Sequence, residues 1–293
     1  ITGEVDAARR AHEESRRLAD ESADHQGSAR ALWQLGIVAS IQGRESDAER
    51  LQRDSLAISR QHGFTLIMAS ALDNLGILAF KNSDYTLAQS YWQESHGLFR
   101  ELGFDIGLTT SLLHHAALAS LANVEKARAL CAEALTKAKE TGHKGNVAYA
   151  LVVLGQLYTK SDPPYAKSDR RLSRALYEEA IAVARDVGNK QSVALALSCM
   201  GLVSLDEGKF AEADRLLKES FALLVQLHED QSVDAATCSE HLGWVAFEQG
   251  RFQEARELSE RGQSIASFRT EKWHLLRLSG FAHLALVSWI RDF

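Results

Sequence analysis

Few residues in this 293-residue chain combine a reactive type with a spacing that could do chemistry. His114-His115 is the first candidate, because imidazole nitrogens bind metals. Neighbours on a helix point about 100° apart, however, and no His, Cys, Asp or Glu returns four positions on to complete a face. Glu178-Glu179 diverge in the same way and make a poor acid–base couple. His12-Glu13-Glu14 lacks the second histidine of a zinc-protease helix. No glycine-rich phosphate loop, nucleophile elbow or dinucleotide fingerprint occurs. The expectation is no enzyme, no cofactor and no metal.

Basic clusters at Arg9-Arg10, Arg16-Arg17 and Arg170-Arg171-Arg174 could reach phosphates. They are interleaved with Glu13, Glu14, Asp20 and Asp169, which favours an ion-paired, solvated surface. A formal net charge of −6 gives no general attraction for nucleic acid or anionic lipid. No run of eighteen apolar residues could span a bilayer. Cys131, Cys199 and Cys238 are odd in number and widely spaced, which fits reduced thiols in a cytoplasmic protein. The residues that follow Ile1 do not read as a signal peptide, and none is expected.

The elements that carry these residues repeat. From Ser70 to Gly103 the sequence reads as one amphipathic helix through Leu72, Leu75 and Ala79, a polar turn at Asn82-Ser83-Asp84, and a second helix through Ala88, Trp92, Ser95 and Phe99. Leu35-Gly36, Leu75-Gly76, Leu154-Gly155, Met200-Gly201 and Leu242-Gly243 repeat the middle of the first helix. Ala48, Ala88, Ala175, Ala213 and Ala255 follow in the second, with Ala8 and Ala127 in less regular copies. A glycine inside a helix costs about 1 kcal/mol relative to alanine, so its return at one phase implies close packing of antiparallel helices.

Leu-Gly in the first helix, an alanine twelve positions on and a bulky residue near Trp92 resemble the tetratricopeptide repeat over essentially the whole chain. That family's unit is about 34 residues, whereas Ala8, Ala48, Ala88 and Ala127 are spaced by 40, 40 and 39. Long repeats ending as Arg100 to Gly103 do are similar to the helical arms of large bacterial ATPase-linked and LuxR-type regulators. The resemblance implies an all-α, right-handed superhelical solenoid of antiparallel helix pairs.

A solenoid grows by adding units, so the whole of 1–293 is expected to be one domain. It comprises a half repeat at 1–26, pairs at 27–63, 64–103, 104–142, 143–188, 189–229 and 230–268, and a terminal helix at 269–293. Gly63, Gly103, Gly142 and Gly188 are expected to end second helices in the left-handed region, Gly43, Gly208 and Gly250 to do so within pairs, and Asn82 and Asn123 to serve where glycine is missing. Two irregularities stand out. His115 occupies the small-residue place of the third pair, and the fourth pair carries eight extra residues in a protruding loop around Pro163-Pro164. The half repeat at the start, and the apolar Trp273, Leu276, Phe281, Leu284 and Trp289 at the end, read as an excerpt of a longer protein or as open ends that self-associate.

In the resembled family the concave face is lined by first-helix residues at a fixed phase from the glycine. Carried over, that phase gives Trp33, Gln34, Asp73, Asn74, Phe80, Lys81, Tyr149, Gln156, Lys160, Glu240, His241, Trp244 and Phe247, with Ile37, Ile77, Leu112, Leu113, Val152, Leu195 and Leu202 between them. The mixture of aromatic and polar groups suits a peptide, a partner protein or another domain of the same polypeptide. No carboxylate clamp is expected, since only Asn74 and Lys81 suggest one. The resulting expectation is a non-catalytic scaffold within a bacterial signalling protein. The alternative is a ligand- or peptide-sensing arm that switches an attached ATPase or DNA-binding module.

Overall fold

The computed structural model describes residues 2–42, 44–159, 167–227 and 233–267. Gly43, Lys160, the loop around Pro163-Pro164 and the terminal segment 269–293 with Trp273 and Trp289 lie outside the described residues. Among those described, thirteen α-helices and no strand occur. They are α1 (Thr2–Glu21), α2 (His25–Ile41), α3 (Glu45–His62), α4 (Thr65–Lys81), α5 (Tyr85–Glu101), α6 (Asp105–Ala119), α7 (Val124–Glu140), α8 (Lys144–Thr159), α9 (Lys167–Asp186), α10 (Lys190–Asp206), α11 (Phe210–Gln226), α12 (Val233–Glu248) and α13 (Phe252–Ser267). Among the described helices α2–α3, α4–α5, α6–α7, α10–α11 and α12–α13 pack as hairpins, an all-α arrangement. By contacts the chain falls into two units, 1–146 and 147–293.

The two helices of a hairpin differ in how much of their circumference is covered. A second helix such as α5 buries one stripe, Ala88, Trp92, Ser95 and Phe99. A first helix such as α10 buries twelve of its seventeen residues, from Ser192 to Leu205, because it has neighbours on both flanks. In the first unit the core runs through clusters around Leu32, Leu51 and Leu78, around Leu56, Leu72 and Leu75, and around Ala79, Ala88 and Trp92. In the second it centres on Leu217, Leu224, Leu242 and Val245.

One turn recurs between helices. Gly63 sits at φ 75° and Phe64 N–H donates to Ser59 O at 3.0 Å, closing the last turn of α3. Gly103, Gly142, Gly188, Gly208 and Gly250 take the same left-handed conformation. Asn82 does not. It stays at φ −79°, and Ser83 at φ 61° turns the chain instead, where the shift by one residue leaves Asp84 free to cap α5 through Leu87 N–H. Asn123 likewise caps the following helix, α7, accepting from Lys126 N–H.

The left-handed residue fixes the packing phase. Thirteen residues after Ala23, Gly63, Gly103, Gly142 and Gly188 come Gly36, Gly76, Ala116, Gly155 and Gly201. The small residue of the third pair is therefore Ala116, which is fully buried, and not the half-buried His115. Packing confirms the phase: Leu118 lies against Ala79 and Ala88 as Leu78 lies against Ala39 and Ala48. Counting back from Ala127 misleads because the path from α6 to α7 is one residue shorter than its sisters.

Each seam glycine clears space for the residue sixteen positions on. A Cβ at Gly76 would overlap the Trp92 indole, one at Gly36 would overlap Gln52, and one at Gly201 would come 2.8 Å from Leu217 Cγ. In the fourth pair a Cβ at Gly155 would come 2.5 Å from the Tyr177 ring, and the fully buried small residue four before Tyr177 is Ser173. Ala175 is exposed. The insertion is thus six residues rather than eight, and serine takes the alanine's place.

Candidate functional site

The seam also binds the helices by hydrogen bonds. Nineteen positions after the glycine, Ser55, Ser95 and Ser220 donate their hydroxyls across the hairpin to Ala29 O, Ala69 O and Ala194 O at 2.7, 2.9 and 2.7 Å. Gln52 Nε2 and Trp92 Nε1 each donate at 3.1 Å to the carbonyl three residues before the glycine, Trp33 O and Asp73 O. These bonds pin each second helix against the backbone of its first helix. The first helices are thereby held so that their remaining face meets solvent.

In the first unit, Asp73, Phe80 and Trp92 are gathered into one cluster. Asp73 Oδ1 lies 2.9 Å from His114 Nδ1 on the next first helix, and the His114 ring stacks on Trp92 at 4.6 Å. Phe80 packs tilted against Trp92 and Tyr85. Asn74 turns its Nδ2 back to Ser70 O at 2.9 Å, and Lys81 is exposed at the end of α4. Trp33 and Gln34 are half-buried, and the Trp33 indole nitrogen is buried with no acceptor among the described residues. His114 is the member that a count from His115 misses. Counted from Ala116, it holds the place of Asn74, and Leu113 the place of Asp73.

In the second unit the exposed members are aromatic. Tyr149 is 39% and Trp244 40% exposed, and Trp244 Nε1 donates to Glu248 at 3.1 Å. Phe247 meets Phe252 edge-on, and Gln156 Nε2 reaches Cys199 Sγ at 3.3 Å. Val152, like Leu113 in the first unit, is buried and serves packing. Glu240 is buried too, and desolvation pushes its carboxyl up to about 7. Burial pushes His241 down to about 4, keeping the imidazole neutral.

Other chemistry-bearing groups are occupied or shielded. Arg9, Arg16, Arg17, Arg44 and Arg50 line a cleft of about 440 Å³ with Glu13 and Asp20, and Arg17 is held by Glu14 and Glu21 at 2.6 and 2.5 Å. Arg174 is gripped by Glu207 and Glu212, both at 2.9 Å. Burial raises the thiols of Cys131 and Cys199 to about 12 and about 11, and raises Cys238 as well, which makes them poor nucleophiles. His115 Nδ1 donates to Ser111 O at 2.7 Å, and His96 Nδ1 lies 3.0 Å from Ser111 Oγ. Among the described residues no three His, Cys, Asp or Glu side chains stand close enough to share a metal ion, and no helix is long and apolar enough to cross a membrane.

Hairpins packed through small seam residues define a helical-repeat fold. Residues 1–61 and 192–267 match the tetratricopeptide repeat family, and the helices between them continue the same hairpin packing. A search of curated proteins finds no match. Among solved structures, the chain is similar to a Rap protein complexed with competence and sporulation factor, at 14% identity and a TM-score of 0.64, covering 100% of this chain and 87% of that one. It is similar to NprR in complex with its cognate peptide NprX, at 15% identity and a TM-score of 0.59, covering 99% and 84%. It is also similar to a signal transduction ATPase with a tetratricopeptide repeat sensor from Pyrococcus horikoshii, at 12% identity and a TM-score of 0.59, covering 94% of this chain but 41% of that one.

Proposed function

We propose that this array is a non-catalytic scaffold that holds a peptide or protein segment along the exposed face of its first helices, within an intracellular signalling or regulatory protein. The observation that carries the proposal is the exposure of Tyr149 and Trp244 on helices whose other large side chains are mostly covered. Aromatic anchors of this kind supply much of the energy of recognition at low entropic cost. The similar Rap and NprR structures hold competence and sporulation factor and the cognate peptide NprX, which supports the same use of the fold here. The face residues proposed for contact are Trp33, Gln34, Asn74, Phe80 and Lys81 in the first unit, and Tyr149, Gln156, Lys160, His241, Trp244 and Phe247 in the second. Asp73 in the first unit and Glu240 in the second belong to the same proposed set.

The test is capture of a peptide library by the full chain and by the Tyr149→Ala/Trp244→Ala double variant. Both substitutions sit on exposed side chains, so the melting temperature should hold while bound peptide is lost. Undiminished capture by the double variant would remove these residues from the site.

A further inference from the structure

Three residues before the seam glycine, two hairpins carry a carboxylate: Asp73 in α4 and Glu240 in α12. Asp73 has the His114 imidazole at 2.9 Å. Glu240 is 8% exposed and has no hydrogen-bond or ion-pair partner among the described residues. Its neighbour His241 supplies none, since its Nδ1 is itself buried without a partner and the ring is held neutral.

The hairpin is cut to fit this carboxyl. Nineteen positions after the seam glycine, where Ser55, Ser95 and Ser220 carry their bonded hydroxyls, α13 has Gly262. A Cβ there would come 2.9 Å from Glu240 Oε1 and 3.1 Å from Ala236 O. The glycine removes the atom that would crowd the carboxyl, together with the hydroxyl that in the sister hairpins bonds the carbonyl equivalent to Ala236 O. A buried carboxylate without a cation works against folding, and the upward shift of its titration toward neutrality is the same penalty seen as a proton equilibrium. Groups held at such a cost are concentrated at sites that meet a ligand.

We propose that Glu240 anchors a cationic side chain of the bound peptide, a lysine ammonium or an arginine guanidinium. This rests on the peptide-binding reading given above and specifies the ligand's chemistry. Trp244 stands one helical turn on from Glu240, on the same side of α12, where its 40% exposed indole can cover the aliphatic stem or the cation itself. Gln in place of Glu240 keeps the shape, removes the charge and turns one acceptor oxygen into a donor.

The experiment uses the full chain at pH 8 and a hexapeptide library in which one position at a time is fixed as Lys, Arg, Gln or Glu, read by fluorescence anisotropy. The wild type should select Lys or Arg at one position. Glu240→Gln should lose about tenfold affinity for the selected peptide, the size of one charge-assisted hydrogen bond, and bind its Gln counterpart as the wild type does. Gly262→Ala should weaken the same peptide by crowding the carboxyl. The melting temperature of Glu240→Gln should equal or exceed that of the wild type. Unchanged binding by Glu240→Gln overturns the proposal, and so does a lowered melting temperature with unchanged peptide preference, which would assign the carboxyl to a contact within the fold. Binding without selection of Lys or Arg would sink the anchor and leave the peptide face standing. No binding by the wild type would sink both.

Discussion

The α4–α5 and α6–α7 hairpins begin at the same left-handed glycine and reach their small residue after the same thirteen positions, yet they fill the seam in opposite ways. In α4–α5 the second helix supplies the bulk: Trp92 lies over Gly76, Phe99 is buried, and Ser95 bonds back to Ala69 O. In α6–α7 those three places hold Cys131, Ala138 and Ala134. The first helix then carries the larger groups, with Ala116 for Gly76, His115 for Leu75 and His114 for Asn74. What the repeat preserves is the phase of packing and the summed volume between helices, since interiors tolerate exchange of partners better than voids or overlaps.

Truncation at the bulky end should separate the two hairpins most sharply. Trp92→Ala removes the filler over Gly76, its bond to Asp73 O and its stack on His114, and should cost about 3–5 kcal/mol in urea unfolding of the full chain. Cys131→Ala, at the corresponding place, should cost about 1 kcal/mol. Equal losses would break the comparison.

Filling the other side of the seam comes next. Gly76→Ala should gain about 1 kcal/mol of helix propensity and still destabilise by about 1–3 kcal/mol net, because the added methyl overlaps the indole. A more stable Gly76→Ala protein would show that the seam has slack. The hydroxyl of Ser95 is a smaller matter. Ser95→Ala should lower stability by about 1 kcal/mol, bringing α5 to the state α7 already has with Ala134.

The smallest effect belongs to the histidines that only α6–α7 and its neighbour α5 bring together. His96 is held below its usual value by burial first, then by His115 and Arg100, with Glu133 opposing. A folded value below the unfolded one of about 6.5 means that stability is complete above that pH and falls as the pH drops from there toward the folded value. The His96 contribution therefore declines from pH 7.5 to 5.5, and because Glu240 and His241 also titrate differently in the folded chain it is read as the difference in melting-temperature slope between the wild type and His96→Gln. An unchanged slope would remove His96 as its source.

Much of the array was legible in the residues. Small residues at a fixed phase, left-handed glycines at the joints and apolar stripes three and four apart are local properties of the chain, so Gly36, Gly76, Gly155, Gly201 and Gly243 mark first helices without any knowledge of their neighbours. The errors arose where two local counts disagreed. Alanine counting placed His115 in the seam and Ala175 under Gly155, while the fold uses Ala116 and Ser173, because an inserted or deleted residue in a turn is absorbed there and packing restores the phase on either side.

The sequence by itself determined the helices, their pairing and the period, since hydrogen bonding within a helix and the burial of one apolar stripe depend on residues a few positions apart. Only the tertiary structure decided which polar groups found partners. That Asp73 meets His114 across 41 positions while Glu240 has no polar partner among the described residues depends on which helix faces which, and no spacing along the chain encodes the distance between side chains from different hairpins.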